Sequence, residues 1–419
     1  MSTDAERVVI VGAGLAGLSC GLLLAAEGIP FSIFEAADQV GGRVRTDEVR
    51  GFRLDRGFQV LLTAYPEAAE LLDYGDLDLH PFYPGAFVRT GGRFHVLADP
   101  FRNPVDGGKT IATPVGSILD KGRVAQLRYR VGSGTLDDLW KHPETTSLNY
   151  LRQAGFSTSM IDGFFRPFFG GALLEPDLRT SSRMLEFIFR MFAQGDIAIP
   201  ATGMEAIPRQ LAARLPEGSI YLNTPVESIE SSGVRLANGE TAAARAVVVA
   251  TGPGPAHELL PGITVPGTFG TACLYYSADN PPVREPALLL DSELTGPVNN
   301  AVVISNVSPL YAPPGAALIS ASTVGIPDVD DPELDRRVRD QLTGWWGDEV
   351  AGWELLRIYR IPDALPRQEP PALSLPRRPV RVNKNRYVCG DHRDNGSING
   401  ALASGKRAAE AVVADLRAG

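Results

Sequence analysis

Cysteine is scarce in this chain: Cys20, Cys273 and Cys389 lie far apart among 419 residues. They make no CxxC pair and no disulfide framework, which fits a reducing cytoplasm. Histidine is equally sparse. Its five residues, His80, His95, His142, His257 and His392, form neither an HExxH motif nor a His/Cys cluster, so no metal site is expected. Clustered basic charge is lacking too. A formal net charge of -9 argues against an extended nucleic-acid surface, which groups Lys and Arg against phosphates. No apolar run reaches the roughly 18 residues of a membrane-spanning helix. The acidic opening MSTDAERVVIVGAG has no signal-peptide architecture. The expectation is a cytoplasmic protein of unassigned oligomeric state, with peripheral membrane contact left open. Its length allows two or three domains or one interleaved unit.

Glycine is abundant, and its placement carries the first signal. Val8 to Val11 form a short apolar run suited to a parallel strand buried on both faces. Gly12-Ala13-Gly14-Leu15-Ala16-Gly17 follows, then a helix-like stretch from about Leu18 to Ala26. A second strand reads Phe31-Ser32-Ile33-Phe34, with Glu35 at its end. This is a dinucleotide-binding fingerprint in its βαβ setting. Gly12 permits the tight turn, Gly14 lets the backbone approach a pyrophosphate, and Gly17 allows close helix–strand packing. The pyrophosphate meets free N–H groups at the positive end of the helix dipole. Glu35 accepts from ribose hydroxyls and repels a 2′-phosphate, which disfavours NADP. The fingerprint alone does not separate FAD from NAD.

The next residues do. Val40-Gly41-Gly42-Arg43 follows the acid, and Gly51 to Phe58 brings Gly57 after a strand-like segment. Leu222 to Ile229 reads as turn and strand containing Val226, and Asn238-Gly239 is a type I′ hairpin signal. Near the end, Tyr387-Val388-Cys389-Gly390-Asp391 leads through Ser397 and Ile398 into an Ala-rich helix. In this order, the blocks at about 7–60, 200–252 and 375–415 resemble the flavin amine oxidase superfamily, which includes monoamine oxidases, protoporphyrinogen oxidases and carotenoid desaturases. The resemblance implies non-covalent FAD. It sets Gly42 and Arg43 by the phosphates and flavin, Gly57 against the isoalloxazine ring, and Val226 on the adenine. It sets Gly390 and Asp391 by the ribityl chain and pyrophosphate. Ser397 and Ile398 then begin a helix aimed at the flavin edge where negative charge develops.

The implied fold is α/β: a Rossmann-like FAD domain, with a parallel sheet and helices on both faces, interleaved with an α+β substrate domain. The FAD domain takes residues 1–85, 200–260 and 375–419; the substrate domain takes 86–199 and 261–374. Cys389 reads as a small core residue rather than a covalent flavin link. Phe164, Phe165, Phe168, Phe169, Phe187, Phe189 and Phe192 fit either a core or a greasy tunnel. The interleaved Arg166, Arg183 and Arg190 fit a solvated face or an anion-reading edge. Ala364-Leu365-Pro366-Arg367-Gln368 resembles a flavin-side stretch of the protoporphyrinogen oxidase and desaturase branches, or else is a proline-rich loop. The lysine that many amine oxidases of the family carry is absent from Gly267 to Asn280.

The expectation is therefore an FAD-dependent dehydrogenase, desaturase or oxidase taking hydride from a bulky apolar small molecule. An amine oxidase releasing hydrogen peroxide and a non-catalytic flavin-binding module are the alternatives. No residue is singled out as catalytic.

Overall fold

The computed structural model describes residues 7–418. The reading of Met1 to Glu6 as free of a targeting signal lies outside those residues.

Val8–Val11, Phe31–Phe34 and Ala246–Val249 are buried throughout, as continuous apolar strands require. They form the centre of a six-stranded sheet in the order Ile220–Tyr221, Phe31–Phe34, Val8–Val11, Ala246–Val249, Arg386–Val388 and Arg381–Asn383. All neighbours are parallel except the last pair. One face packs Ile10, Ile33, Val248 and Tyr387 against the helices Leu15–Ala26 and Ile398–Ala418. The opposite face packs Val9, Val11, Val247 and Val249 against helix Pro253–Leu259 and a three-stranded meander over 226–243.

The first helix begins at Leu15, three residues before the expected start. Gly14 is its N-cap, with extended backbone at φ -70° and ψ 176°, so the helix opens directly after the second glycine. The two long helices touch closely: a Cβ on Gly405 would enter the Ala16 carbonyl, and Ser19 Oγ donates to the Leu402 carbonyl at 2.8 Å.

The Asn238-Gly239 hairpin forms, but not as type I′. Gly239 has φ +89° and Asn238 does not take positive φ. Gly239 N–H donates to the Leu236 carbonyl at 2.9 Å and Leu236 N–H to the Glu240 carbonyl at 2.8 Å. That is a three-residue loop whose left-handed glycine follows a type I turn.

A second, seven-stranded sheet runs Glu354–Pro366, Thr268–Ala278, Ala317–Thr323, Val298–Val303, Leu288–Asp291, Gly85–Thr90 and Arg93–Ala98. Only Leu288–Asp291 and Gly85–Thr90 pair in parallel. Helix Asp331–Trp346 covers its outer face through Leu334, Val338 and Leu342. Its inner face, with helices Arg166–Leu173 and Ser182–Gln194, encloses part of the cavity described next.

Candidate active site

A single cavity of about 1250 Å³ is walled by loops of the first sheet at one end and by the second sheet at the other. Eleven of the twelve residues expected at the site line it: Gly12, Gly14, Glu35, Gly42, Arg43, Gly57, Val226, Gly390, Asp391, Ser397 and Ile398. Gly17 stands behind the wall, where a Cβ would enter the Gly12 carbonyl. That is the packing role its position implies. Gly12 turns the chain at φ +104°. Gly14 differs from both, because a Cβ there would meet no atom within 4 Å. Its missing side chain faces open space at the start of a helix that no side chain caps and whose first turn holds no acid.

Glu35 leaves the end of its strand and folds back. Its Oε2 accepts from the Ala13 N–H at 2.6 Å and its Oε1 from the Ala37 N–H at 2.9 Å. These bonds hold the carboxylate beside the glycine loop. The Gly41-Gly42 turn docks on that loop as well: Gly41 N–H donates to the Ala13 carbonyl at 2.9 Å, and a Cβ on Gly42 would lie 3.4 Å from Gly14 Cα. Arg43 then crosses to the C-terminal segment, pairing with Asp391 Oδ1 at 2.6 Å and donating to the Ala364 carbonyl at 2.8 Å. The Asp391 charge raises the Arg43 guanidinium above its ordinary value.

Gly390 reaches this position at φ +141°, its N–H donating to Ser404 Oγ at 2.9 Å. Ser397 Oγ accepts from the Gly400 N–H at 3.1 Å and so caps the final helix. The Ala364–Gln368 segment is a strand as far as Pro366 rather than a loop. Beyond it, buried Gln368 donates to the Asp394 carbonyl at 2.8 Å and accepts from the Gly396 N–H at 2.7 Å. It thereby fixes the turn that delivers Ser397.

Asp55, two residues before Gly57, is a hub that the sequence did not single out. It is 2% exposed. Its Oδ1 accepts from Thr46 Oγ1 at 2.5 Å and from the Met204 N–H at 3.0 Å, and its Oδ2 accepts from the Tyr311 hydroxyl at 2.8 Å. Burial pushes the carboxyl up to about 6, against the lowering effect of these bonds. Nearby, a Cβ on Gly57 would lie 2.8 Å from Ile361 Cδ1; Gly57 itself sits at φ +89°.

The far end of the cavity is apolar, walled by Leu62, Phe82, Phe168, Met184, Ile188 and Phe192. The phenylalanines thus divide between the two expected roles. Phe165, Phe169 and Phe187 are core, whereas Phe168 and Phe192 meet at 5.0 Å in the cavity wall. The three arginines make neither a solvated face nor an anion-reading edge. Arg183 donates to the His142 and Leu373 carbonyls, Arg190 to the Gly134 carbonyl and Arg166 to the Pro176 carbonyl. They serve as ties between segments. Thr271, Asn300, Ser322 and Thr323 add a polar strip from the second sheet; no local motif announced them.

Comparison with known proteins agrees with this geometry. The model of the flavin containing amine oxidoreductase family matches residues 15–413. Hydroxysqualene dehydroxylase of Rhodopseudomonas palustris is 27% identical over an alignment of 467 positions, covering 99% of this chain and 100% of that protein. Protoporphyrinogen oxidase 2 of Arabidopsis thaliana is 36% identical over 187 positions, covering 42% of this chain and 34% of that protein. Among solved structures, a provisionally assigned protoporphyrinogen oxidase from Exiguobacterium sp. 255-15 superposes with a TM-score of 0.73 at 20% identity, covering 100% of both chains. A putrescine oxidase bound to putrescine does so with a TM-score of 0.72 at 18% identity, covering 98% of this chain and 99% of that one. The glycine loop, the Gly-Gly-Arg turn and the Gly-Asp strand end thus meet at one cavity within a fold these proteins share, and the chain belongs to the flavin-containing amine oxidoreductase family as a flavin-dependent oxidoreductase.

Proposed function

We propose that the cavity holds non-covalent FAD along its glycine-lined end and a bulky apolar substrate in its aromatic end, and that the enzyme removes hydride from that substrate. The continuity of the two ends within one cavity carries this reading. The glycine-lined end fits the cofactor: Gly14 leaves room where a Cβ would intrude, and the uncapped helix start suits an anion. In this reading Gly12, Gly14 and Arg43 face the pyrophosphate, Glu35 the ribose and Val226 the adenine. Gly42, Gly57, Gly390, Asp391, Ser397 and Ile398 surround the ribityl chain and ring. The three Cys side chains are buried and reduced, and Cys389 is a core residue rather than a flavin link.

Bound FAD supplies the hydride acceptor. The chain's own part is to position a C–H bond, exclude water and present the Ile398 helix N-terminus to developing negative charge. Residues 1–85, 200–260 and 375–419 serve the cofactor, and 86–199 with 261–374 the substrate. Anaerobic addition of isoprenoid, polyene and porphyrinogen substrates to the flavin-loaded enzyme tests the reading. At least one lipophilic compound bleaches the flavin; bleaching by amines alone refutes it in favour of amine oxidation.

We further propose peripheral contact with a lipid surface. Phe101, Val105, Ile111, Ile118, Leu119 and Tyr129 are 62% to 85% exposed. They cluster on or beside the helices Pro104–Ala112 and Ile118–Gly132. The nearby cations are largely paired, Arg102 with Asp196, Lys109 with Asp106, Arg123 with Asp120 and Arg128 with Asp99, so the exposed apolar side chains rather than charge carry this reading. The second of these helices packs on Ser182–Gln194, whose Met184, Ile188 and Phe192 wall the chamber. No helix among the described residues is long and apolar enough to cross a membrane.

A further inference from the structure

Two helix starts meet beside the cavity. Glu67 N–H, in the first turn of helix Pro66–Leu71, donates to Asn399 Oδ1 in the last helix at 3.0 Å. Tyr65 and Ser397, the residues just before these two helices, both line the cavity. The Tyr65 ring is 5% exposed. It lies nearly flat on Phe187, with centroids 5.8 Å apart and planes 10° from parallel. Phe187 stands between Met184 and Ile188 of the apolar wall. Tyr65 therefore sits where the glycine-lined end gives way to the apolar end, and its hydroxyl hydrogen-bonds the Ser397 side chain.

The proton in that bond can be assigned. Asn395 Nδ2 donates to Asp394 Oδ1 at 3.0 Å, which turns Asn395 Oδ1 toward Ser397. Ser397 Oγ donates to that oxygen and accepts from the Gly400 N–H at 3.1 Å. The serine proton is thus spent, and one serine lone pair remains for the Tyr65 O–H. Tyr65 gives its proton to Ser397 and keeps oxygen lone pairs that receive no hydrogen bond among the described residues. Burial raises the phenol above its ordinary value, so it stays a neutral acceptor.

We propose that Tyr65 is a cofactor-binding residue whose hydroxyl oxygen accepts from the flavin's imide N–H, at N3. The oxidised isoalloxazine ring carries this one N–H, next to C2=O. The Ser397–Ile398 helix start is already read as facing the edge that includes C2=O, and Tyr65 is bonded to Ser397. An apolar substrate brings no donor to this oxygen, so the flavin is the ligand that fits it. A buried N–H left without an acceptor costs about 1–3 kcal/mol. The inference rests on the FAD reading of the cavity and adds to it a side chain from a separate stretch of chain.

The probes are FAD and FAD methylated at N3, which lacks that N–H. Their dissociation constants are read from quenching of flavin fluorescence by apoprotein, in wild type and in Tyr65→Phe. Tyr65→Met replaces the phenylalanine variant if that chain does not fold. Wild type prefers FAD to the methylated flavin by about tenfold or more, the worth of one buried hydrogen bond. Tyr65→Phe weakens FAD about tenfold, and the preference shrinks to within about twofold, because loss of the hydroxyl also makes room for the methyl. A role confined to packing or to holding Ser397 weakens both flavins alike and keeps the preference. That outcome, or wild-type protein that binds the two flavins equally, overturns the assignment of Tyr65 while the FAD site stands. If wild type binds neither flavin, the FAD reading falls and the inference with it.

Discussion

Gly14 and Gly17 belong to the same glycine loop, yet the structure gives them opposite sensitivities to one added methyl. At Gly14 the backbone is extended and negative in φ, and a Cβ meets nothing within 4 Å. Gly14→Ala therefore folds without strain. Restricting the unfolded chain favours the variant by about 0.4–1 kcal/mol, which the loss of a glycine N-cap, about 0.5–1 kcal/mol, offsets, so Tm moves by about 1 °C or less for a chain of this length. The methyl does occupy the space where a pyrophosphate would approach. Loss of one charge-assisted backbone bond, about 1.5–3 kcal/mol, weakens FAD roughly 10- to 100-fold. At Gly17 the methyl enters the Gly12 carbonyl, so helix and strand must separate. Gly17→Ala costs about 3 kcal/mol of apoprotein stability. The assay is urea unfolding of both apoproteins beside FAD titration by quenching of flavin fluorescence. The reasoning fails if Gly14→Ala binds FAD like wild type, or if it destabilises the apoprotein as much as Gly17→Ala.

Asp55 carries a pH signature. Its carboxyl is raised to about 6 in the fold, chiefly by burial, against about 3.9 when unfolded. The fold then holds more protons than the unfolded chain between about pH 4 and 6, so stability falls as pH rises through that window, by about 3 kcal/mol in all. Asp55→Asn flattens this part of the stability profile measured by urea unfolding; an unchanged slope contradicts the assignment. Arg43→Ala strands the largely buried Asp391 and lowers apoprotein stability by about 1–2 kcal/mol, less than a fully buried pair because Arg43 is partly exposed. Adding Asp391→Asn recovers part of the loss in a double-mutant cycle. Ser397→Ala removes the cap of the last helix and costs about 1 kcal/mol in the same assay. Changing Phe101, Ile111, Ile118 and Leu119 together to Ser abolishes sedimentation with phosphatidylglycerol vesicles while flavin content is kept. Retention of vesicle binding by that variant rules out the lipid-facing patch.

The cofactor end was the legible part of the sequence because its constraints are local. A buried strand, a glycine-only turn and an acid at the next strand end lie within one stretch of about thirty residues, each following from short-range sterics. Asp391 and Ser397 were legible from a second local block. What escaped depends on distant pieces meeting. Arg43 finds Asp391 across the chain. Asp55 gathers Thr46, Met204 and Tyr311. Asn300 gains its neighbours only through strand register with Leu290 and Ser322. The early helix start and the type of the Asn238-Gly239 turn were missed for a smaller reason. Both hinge on one residue's backbone angle, at Gly14 and at Asn238, which composition does not dictate. The seven phenylalanines between Phe164 and Phe192 were ambiguous because helical spacing gives core and cavity wall the same pattern; of these seven, Phe168 and Phe192 line the cavity.

The most direct test of the account is the fate of the flavin when the purified, coloured protein is denatured by heat or acid and the precipitate is removed. The account predicts that FAD, identified by mass, appears in the supernatant at one equivalent per chain and that Gly14→Ala protein carries little of it. A protein that takes up no FAD, or one whose flavin stays attached to the precipitated chain, contradicts it.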